Sequence, residues 1–216
     1  MKRIVSPSML SADFGFLERD TLMIEESAAE WIHIDVMDGV FVPNISFGFP
    51  VMKAIRKVAR KPLDVHLMIV NPEKYVERFI EAGADWVTFH VEATDHPQEV
   101  IDLIHKAGAK AGISVKPATP IEKIVPYFSS LDLVLVMSVE PGFGGQKFIP
   151  DSRNKVRSLR QMIDSMGHHT LIEIDGGVGA DNAHEVWETG VDAIVAGSAV
   201  FKAADPAAEI KKIIDA

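Results

Sequence analysis

Two histidines and two aspartates stand near the ends of three short apolar segments of the chain. His33 and Asp35 lie in WIHIDVMDG, His66 lies in LDVHLM, and Asp175 lies in LIEIDGG. Alternate side chains of a β-strand share one face, so His33 and Asp35 point the same way while the isoleucine between them points the other. If the three segments are parallel strands of one closed sheet, these four side chains converge at one of its ends.

Such a group is expected to bind a metal ion. A single buried histidine or aspartate would more simply belong to a polar layer that closes the interior, but several buried carboxylates need a compensating charge or hydrogen bonds. The chain has no cysteine, which excludes disulfides and thiolate metal sites. We therefore predict one divalent metal ion on His33, Asp35, His66 and Asp175, with Zn²⁺ or Fe(II) favoured and Co²⁺ or Mn²⁺ also compatible with the donor set.

Glycine-rich turns follow three apolar segments, one of which is the segment that carries Asp175. Any one of them could be an ordinary turn, but turns after the last strands of a barrel commonly bind phosphate through backbone N–H groups. Lys147 is the basic residue in this neighbourhood, so backbone amides would carry the anion. The predicted phosphate-binding turns are Gly142-Phe143-Gly144-Gly145, Gly176-Gly177 and Gly197-Ser198.

Other side chains near the segment ends have less specific interpretations. Methionine usually fills core space, but Met37, Met68 and Met137 could form an apolar floor beneath a bound substrate. His90 ends the fourth segment and could lie behind a metal ligand.

The scaffold that positions these residues follows from one pattern along the whole chain. Strand-like apolar runs begin 22 to 37 residues apart, near Ile4, Trp31, Leu63, Trp86, Ala111, Leu133, Thr170 and Ala193. Each gap carries helical apolar periodicity, and glycines stand where several helices should end before the next strand, at Gly83, Gly108 and Gly190. Alternating strands and helices predict a parallel sheet, and eight units predict a single (β/α)8 TIM barrel, one catalytic domain over residues 1–216. The alternative, a doubly wound open sheet, would need a glycine-rich turn after the first strand, where the chain reads SPSMLSADF.

Composition narrows the possible partners. The 216 residues carry 22 Lys and Arg against 31 Asp and Glu, a net charge of −9, which argues against nucleic acid or an anionic membrane as the main partner. The N-terminus lacks the apolar core of a signal peptide, and no run reaches the ~18 apolar residues of a membrane helix. We expect a cytoplasmic homo-oligomer, although the sequence does not define the number of copies.

Six phrases together resemble the ribulose-phosphate 3-epimerase family: SPSMLSADF, HIDVMDGVFVPNISFG, DVHLMI, VEPGFGGQKF, EIDGGV and GSAVF. The resemblance implies that Asp35 and Asp175 are the acid/base groups and that His33, Asp35, His66 and Asp175 hold the metal. It also implies sugar-phosphate contacts from Ser8, His66, Gly142 to Gly145, Asp175 to Gly177, and Gly197-Ser198. Ser46 and Ser138 stand where threonine is common in the family, and Lys116 stands where asparagine is frequent.

The implied reaction interconverts D-ribulose 5-phosphate and D-xylulose 5-phosphate, by proton transfer at C3 through a metal-stabilised enediolate. Three alternatives stay open. A related enzyme would epimerise a six-carbon ketose phosphate such as D-allulose 6-phosphate. A lyase of the decarboxylase and hexulose-phosphate-synthase type would need Asp-x-Lys-x-x-Asp where this chain reads DVHLMI. A non-catalytic sugar-phosphate sensor would be expected to lack one of the two carboxylates.

Overall fold

A computed structural model describes residues 3–216. Eight parallel strands form the inner wall. They are β1 Ile4–Pro7, β2 Ile32–Met37, β3 Leu63–Met68, β4 Trp86–His90, β5 Lys110–Val115, β6 Leu133–Met137, β7 Leu171–Asp175 and β8 Ala193–Ala196. The predicted strand starts agree with these bounds to within one residue.

Eight α-helices surround the strands. They are α1 Leu17–Glu26, α2 Phe49–Val58, α3 Val76–Glu81, α4 Pro97–Lys106, α5 Ser152–Ser165, α6 Ala183–Trp187, α7 Ser198–Phe201 and α8 Pro206–Asp215. The glycines expected after α3, α4 and α6 all have positive φ, 111° at Gly83, 91° at Gly108 and 87° at Gly190. This left-handed conformation is the usual way for a helix to end before the next strand.

The sheet closes into a barrel. The hydrogen-bonded order is β1-β8-β7-β6-β5-β4-β3-β2. The remaining seam is joined by a parallel bridge between Ser8 and His33 and by a hydrogen bond from Glu30 N to Val5 O. The single (β/α)8 barrel predicted from the sequence is therefore confirmed, and the open-sheet alternative is wrong.

The fifth gap departs from the expected alternation. Between β5 and β6 the chain forms two 3₁₀ segments, Ile121–Lys123 and Val125–Ser130, in place of an α-helix. Pro117, Pro120 and Pro126 fall in this gap. Proline lacks an N–H and clashes with the preceding helical turn, so a regular α-helix cannot run through it.

Burial places the polar residues at one end of the barrel. Outward-facing strand residues such as Val65 and Ile174 pack with the helices in one large apolar cluster. At the amino ends of the strands, Trp31, Leu133 and Ala193 fill the lumen. The polar side chains of the lumen therefore lie between its middle and the carboxyl ends of the strands. Among residues 3–216, no helix is both long enough and apolar enough to cross a membrane.

Candidate active site

The four predicted metal ligands meet at the carboxyl ends of β2, β3 and β7. Their ligand atoms all lie within 4.8 Å of one another. Asp35 and His66 are direct neighbours in the β2–β3 register. His33 and His66 are fully buried, whereas the Asp175 side chain keeps 17% of its surface exposed. The group could thus hold a metal ion that is reached from one open side.

Asp35 is the centre of this group. Its Oδ2 accepts a 2.6 Å hydrogen bond from Ser8 Oγ, and its Oδ1 lies 3.1 Å from Nδ1 of His66. The same Oδ1 lies 3.3 Å from Nε2 of His33, a buried nitrogen that makes no hydrogen bond within residues 3–216. A buried nitrogen without a partner, beside two carboxylates and a second imidazole, fits the donor set of a divalent cation.

Burial and the neighbouring charges shift the pKa values of this group in different directions. Burial disfavours the charged form of His33, but the charges of Asp64 and Asp35 outweigh it and hold the pKa of His33 well above its ordinary value. Burial likewise disfavours ionised Asp35, yet the neighbouring His33 and His66 hold its pKa far below the usual range. Burial and then the charge of Asp35 raise the pKa of Asp175 to about 6. A bound cation would replace the proton on His33 and favour ionised Asp175, since metal ligands bind in their deprotonated forms.

A chain of hydrogen bonds supports His66 from behind. Its Nε2 lies 2.9 Å from Nε2 of His90, and Nδ1 of His90 lies 3.2 Å from Oε2 of Glu92. Burial lowers the pKa of His90 to about 4, so its ring is neutral and links a donor to an acceptor. The position expected for His90, behind a ligand, is thus the one observed.

A cavity of about 270 Å³ opens directly above the group. Nearly all of the predicted substrate-contacting residues line it: Ser8, Gly142, Phe143, Gly144, Gly145, Asp175, Gly176, Gly177, Gly197 and Ser198. Asp35 also lines it, whereas His66 is fully buried and is not among the lining residues. Met37, Met68 and Met137 line the cavity as well, at the strand ends where an apolar floor was expected.

The glycine turns form one wall of this cavity, and neighbouring atoms leave no room for a side chain at two of these glycines. Gly177 has φ +66°, and a Cβ there would lie 2.4 Å from the backbone nitrogen of Phe148. At Gly197 a Cβ would lie 2.7 Å from Oγ of Ser11. The cavity lining drawn from residues 3–216 contains carboxylates, Glu140 and Asp181 among them, but no lysine or arginine. An anion in this wall would have to be held by backbone N–H groups, as expected from the sequence.

Sequence reasoning missed the residues that brace the loops of the cavity. Ser138 Oγ lies 2.8 Å from the carbonyl oxygen of Asp175 and 2.7 Å from that of Gly176, so its one hydroxyl hydrogen can be donated to either and orients the turn after β7. Asn44 Nδ2 donates to the carbonyl of Gly142 at 2.9 Å and joins the loop after β2 to the loop after β6. The sequence singled out Ser138 only as standing where the resembled family commonly has threonine, without assigning it a role. Asn44 carries no such signal.

The sequence also did not predict that two buried acids lie close together in the lumen. Asp64 and Glu173 are fully buried beneath His33, and Nδ1 of His33 lies 2.5 Å from Oδ2 of Asp64. Burial and then the charge of Asp64 raise the pKa of Glu173 well above its ordinary value. The alternation that places Glu173 on the face of Asp175 was readable in the sequence, but its nearness to Asp64 depends on how the barrel closes.

Fold and site together define a class: a (β/α)8 barrel with a possible metal site and a glycine-walled cavity at the carboxyl ends of its strands. Comparison with known sequences identifies the family. Residues 4–201 match the Ribulose-phosphate 3 epimerase family, and the chain belongs to that family. It is accordingly an isomerase, of the class of epimerases that act on carbohydrates.

The similar proteins cover nearly the whole chain. A ribulose-phosphate 3-epimerase of Mycobacterium tuberculosis (strain ATCC 25618 / H37Rv) is 50% identical over 207 residues, 96% of this chain and 90% of the relative. One of Bacillus subtilis (strain 168) is 47% identical over 210 residues, 97% of each chain. The crystal structure of 3-hexulose-6-phosphate synthase from Salmonella typhimurium superposes with a TM-score of 0.71 at 21% identity, over 100% of this chain and 97% of that one. At that identity the likeness shows the fold alone.

Proposed function

We propose that this protein interconverts D-ribulose 5-phosphate and D-xylulose 5-phosphate, with one of Asp35 and Asp175 removing the C3 proton and the other delivering a proton to the opposite face of C3. The observation that carries the proposal is the placement of these two carboxylates. They come from β2 and β7, both line the cavity, and both lie within 4.8 Å of the two buried imidazoles. The epimerases to which the chain is similar are named for this substrate.

A divalent cation would be held by His33, Asp35, His66 and Asp175. When bound, it would supply Lewis acidity that stabilises negative charge on the substrate oxygens next to the reacting carbon. Zn²⁺ and Fe(II) suit the two nitrogen and two oxygen donors best, and Co²⁺ or Mn²⁺ are compatible with them.

The two carboxylates would work on opposite faces of the substrate. Inversion at C3 requires that a proton leave one face of the carbon and that another arrive on the opposite face. One group would have to cross the plane of the substrate, whereas residues from β2 and β7 approach it from separate arcs of the barrel wall. Ser8 Oγ donates to Asp35 and holds that carboxylate in place at the cavity wall.

The glycine turns would bind the phosphate at the other end of the substrate. Gly176, Gly177, Gly197 and Ser198 line the cavity, and their backbone N–H groups would donate to the phosphate. The loop from Gly142 to Gly145 faces the same space. Binding energy gained there helps to place the reacting carbon between the carboxylates, so free ribulose should be a very poor substrate.

Isotope exchange tests the two-carboxylate mechanism. In D₂O, product isolated at low conversion should carry deuterium at C3, because the delivering carboxyl exchanges its proton with solvent. Retention of most of the original C3 hydrogen, measured by mass spectrometry, would mean that one group carries it across. Asp35→Asn and Asp175→Asn should each lower kcat by at least ~10²–10⁴-fold.

Substrate choice and assembly have tests of their own. Steady-state rates with D-ribulose 5-phosphate and D-allulose 6-phosphate, measured side by side, separate the pentulose reaction from the hexulose alternative. The proposed catalytic domain spans the whole barrel, because the ligands come from β2, β3 and β7 and the phosphate turns follow β6, β7 and β8. The homo-oligomeric state and the cytoplasmic location remain predictions. Analytical ultracentrifugation would measure the oligomeric state.

A further inference from the structure

Beneath the proposed metal ligands, the barrel lumen holds a second group of titratable side chains. His33, Asp64 and Glu173 each offer an atom within 4.8 Å of the others, and all three are fully buried. Asp64 Oδ2 lies 2.5 Å from Nδ1 of His33 and accepts a longer hydrogen bond, 3.4 Å, from Ser6 Oγ. His33 therefore has one ring nitrogen toward the cavity group and the other toward the lumen.

If Asp64 and Glu173 were both ionised, several of their buried oxygens would have no hydrogen-bond donor. Asp64 Oδ1 and both side-chain oxygens of Glu173 lack a hydrogen-bond partner within residues 3–216. Two ionised carboxylates side by side in a dry lumen would be strongly unfavourable. Either a cation or a hydrogen atom must lie between them.

The distance between His33 and Asp64 shows that a hydrogen atom, not a metal ion, lies between these two residues. A metal ion shared by the two residues would stand roughly 2 Å from each ligand atom, which keeps nitrogen and oxygen about 3 Å apart at ordinary bond angles. The observed 2.5 Å is a short, charge-assisted hydrogen bond.

We propose that Asp64 is a positioning residue that accepts the Nδ1–H of His33 in the lumen and so directs the Nε2 of His33 to the metal. This inference rests on the proposed metal site. The carboxylate orients the ring and raises the basicity of the nitrogen that binds the ion. Such outer partners typically change metal affinity by about 10–100-fold.

Zinc binding to purified variants tests the proposal without reference to turnover. Each protein is stripped of metal and titrated with Zn²⁺ against a chromophoric chelator at one neutral pH. Asp64→Ala should weaken the dissociation constant by about 10–100-fold, and Asp64→Asn, which keeps an acceptor oxygen, should recover part of the loss. Glu173→Gln should stay within about threefold of the wild type, because both side-chain oxygens of Glu173 lack a hydrogen bond to His33 within residues 3–216.

A matched control shows whether any change in the lumen has the same effect. Thr88 is fully buried in the lumen, and its Oγ1 has no hydrogen-bond partner within residues 3–216. Thr88→Val preserves its shape and should leave zinc affinity unchanged. A strongly downfield Nδ1–H proton of His33 in the NMR spectrum of the zinc-loaded wild type should be lost in Asp64→Ala and return in Asp64→Asn.

The outcomes separate this inference from the proposed function. If the wild type does not bind Zn²⁺ or another divalent ion at all, the metal site itself is wrong. If it binds and Asp64→Ala binds equally well, Asp64 does not position His33. If Glu173→Gln loses affinity as severely as Asp64→Ala, Glu173 acts as an anion, and the lumen group is a cation site instead. Should Asp64→Ala fail to fold, Asp64→Asn and Glu173→Gln still decide between these results.

Discussion

Adding a single methyl group at Gly177, in Gly177→Ala, should weaken phosphate binding without disrupting the fold. Gly177 has φ +66°, a region in which an L-residue is disfavoured by roughly 1–2 kcal/mol. Its Cβ would also lie 2.4 Å from Phe148 N and 2.8 Å from Gln146 O. These are backbone atoms, so the loop after β6 must shift to make room.

The expected loss follows from that shift. Moving the cavity wall removes at least one N–H donor to a charged phosphate, about 1.5–3 kcal/mol. A tenfold change corresponds to ~1.4 kcal/mol, so kcat/KM for D-ribulose 5-phosphate should fall roughly 10–150-fold in Gly177→Ala. The loss should appear mainly in KM, because Gly177 lies in the wall rather than among the proton-transferring groups.

Gly167 provides the matched control. It has φ +70° and nothing within 4 Å of an added Cβ, so Gly167→Ala has the backbone strain without the clash. Both variants should lose about 1–2 kcal/mol of unfolding free energy in urea from strain alone. If steady-state kinetics give Gly177→Ala and Gly167→Ala the same KM within twofold, the glycine wall does not bind phosphate.

Three further expectations concern loop bracing, acid stability and a buried ion pair. Asn44→Ala removes the hydrogen bond to Gly142 O and should lower kcat/KM several-fold, with about 1 kcal/mol lost in urea unfolding. The pKa of Glu92 is about 2, because hydrogen bonds from its neighbours outweigh burial. Because the pKa of Glu92 is lower in the folded state, its carboxylate stabilises the fold at pH values above the unfolded pKa near 4.5, and this stabilisation is lost as the pH falls toward 2. The stability difference between the wild type and Glu92→Gln should therefore shrink over that range. Arg160→Met leaves buried Asp192 without its 2.8 Å ion pair and should lower the free energy of unfolding by about 3–5 kcal/mol, with kcat unchanged.

Each of these has a result that contradicts it. Unchanged kinetics in Asn44→Ala would mean that the two loops are independent. A stability difference for Glu92→Gln that grows as the pH falls would reverse the assigned sign. Lys211→Met breaks an exposed pair with Asp215 and should change stability by less than about 1 kcal/mol. An equally small change in Arg160→Met would show that the Asp192 pair does not stabilise the fold.

The amino-acid sequence by itself determined the barrel and the members of the main site. Period-two apolar runs define strands because alternate side chains must meet either helices or the lumen. That alternation placed His33, Asp35, His66 and Asp175 on the inner face at strand ends, where the structure brings them together. The expected α-helix between β5 and β6 is wrong, because proline lacks an N–H and clashes with the preceding turn, so the apolar periodicity there does not produce a regular helix.

Only the tertiary structure decided which buried polar groups meet across the lumen. Asp64 and Glu173 are 109 residues apart in the chain, and their contact depends on the tilt and stagger of β3 and β7 in the closed sheet. The contacts of Asn44 with Gly142 and of Phe148 with Gly177 are made by irregular loops. Sequence periodicity does not predict the paths of such loops. Periodicity gives the face on which a side chain lies, whereas its partner across the barrel is set by closure of the whole sheet.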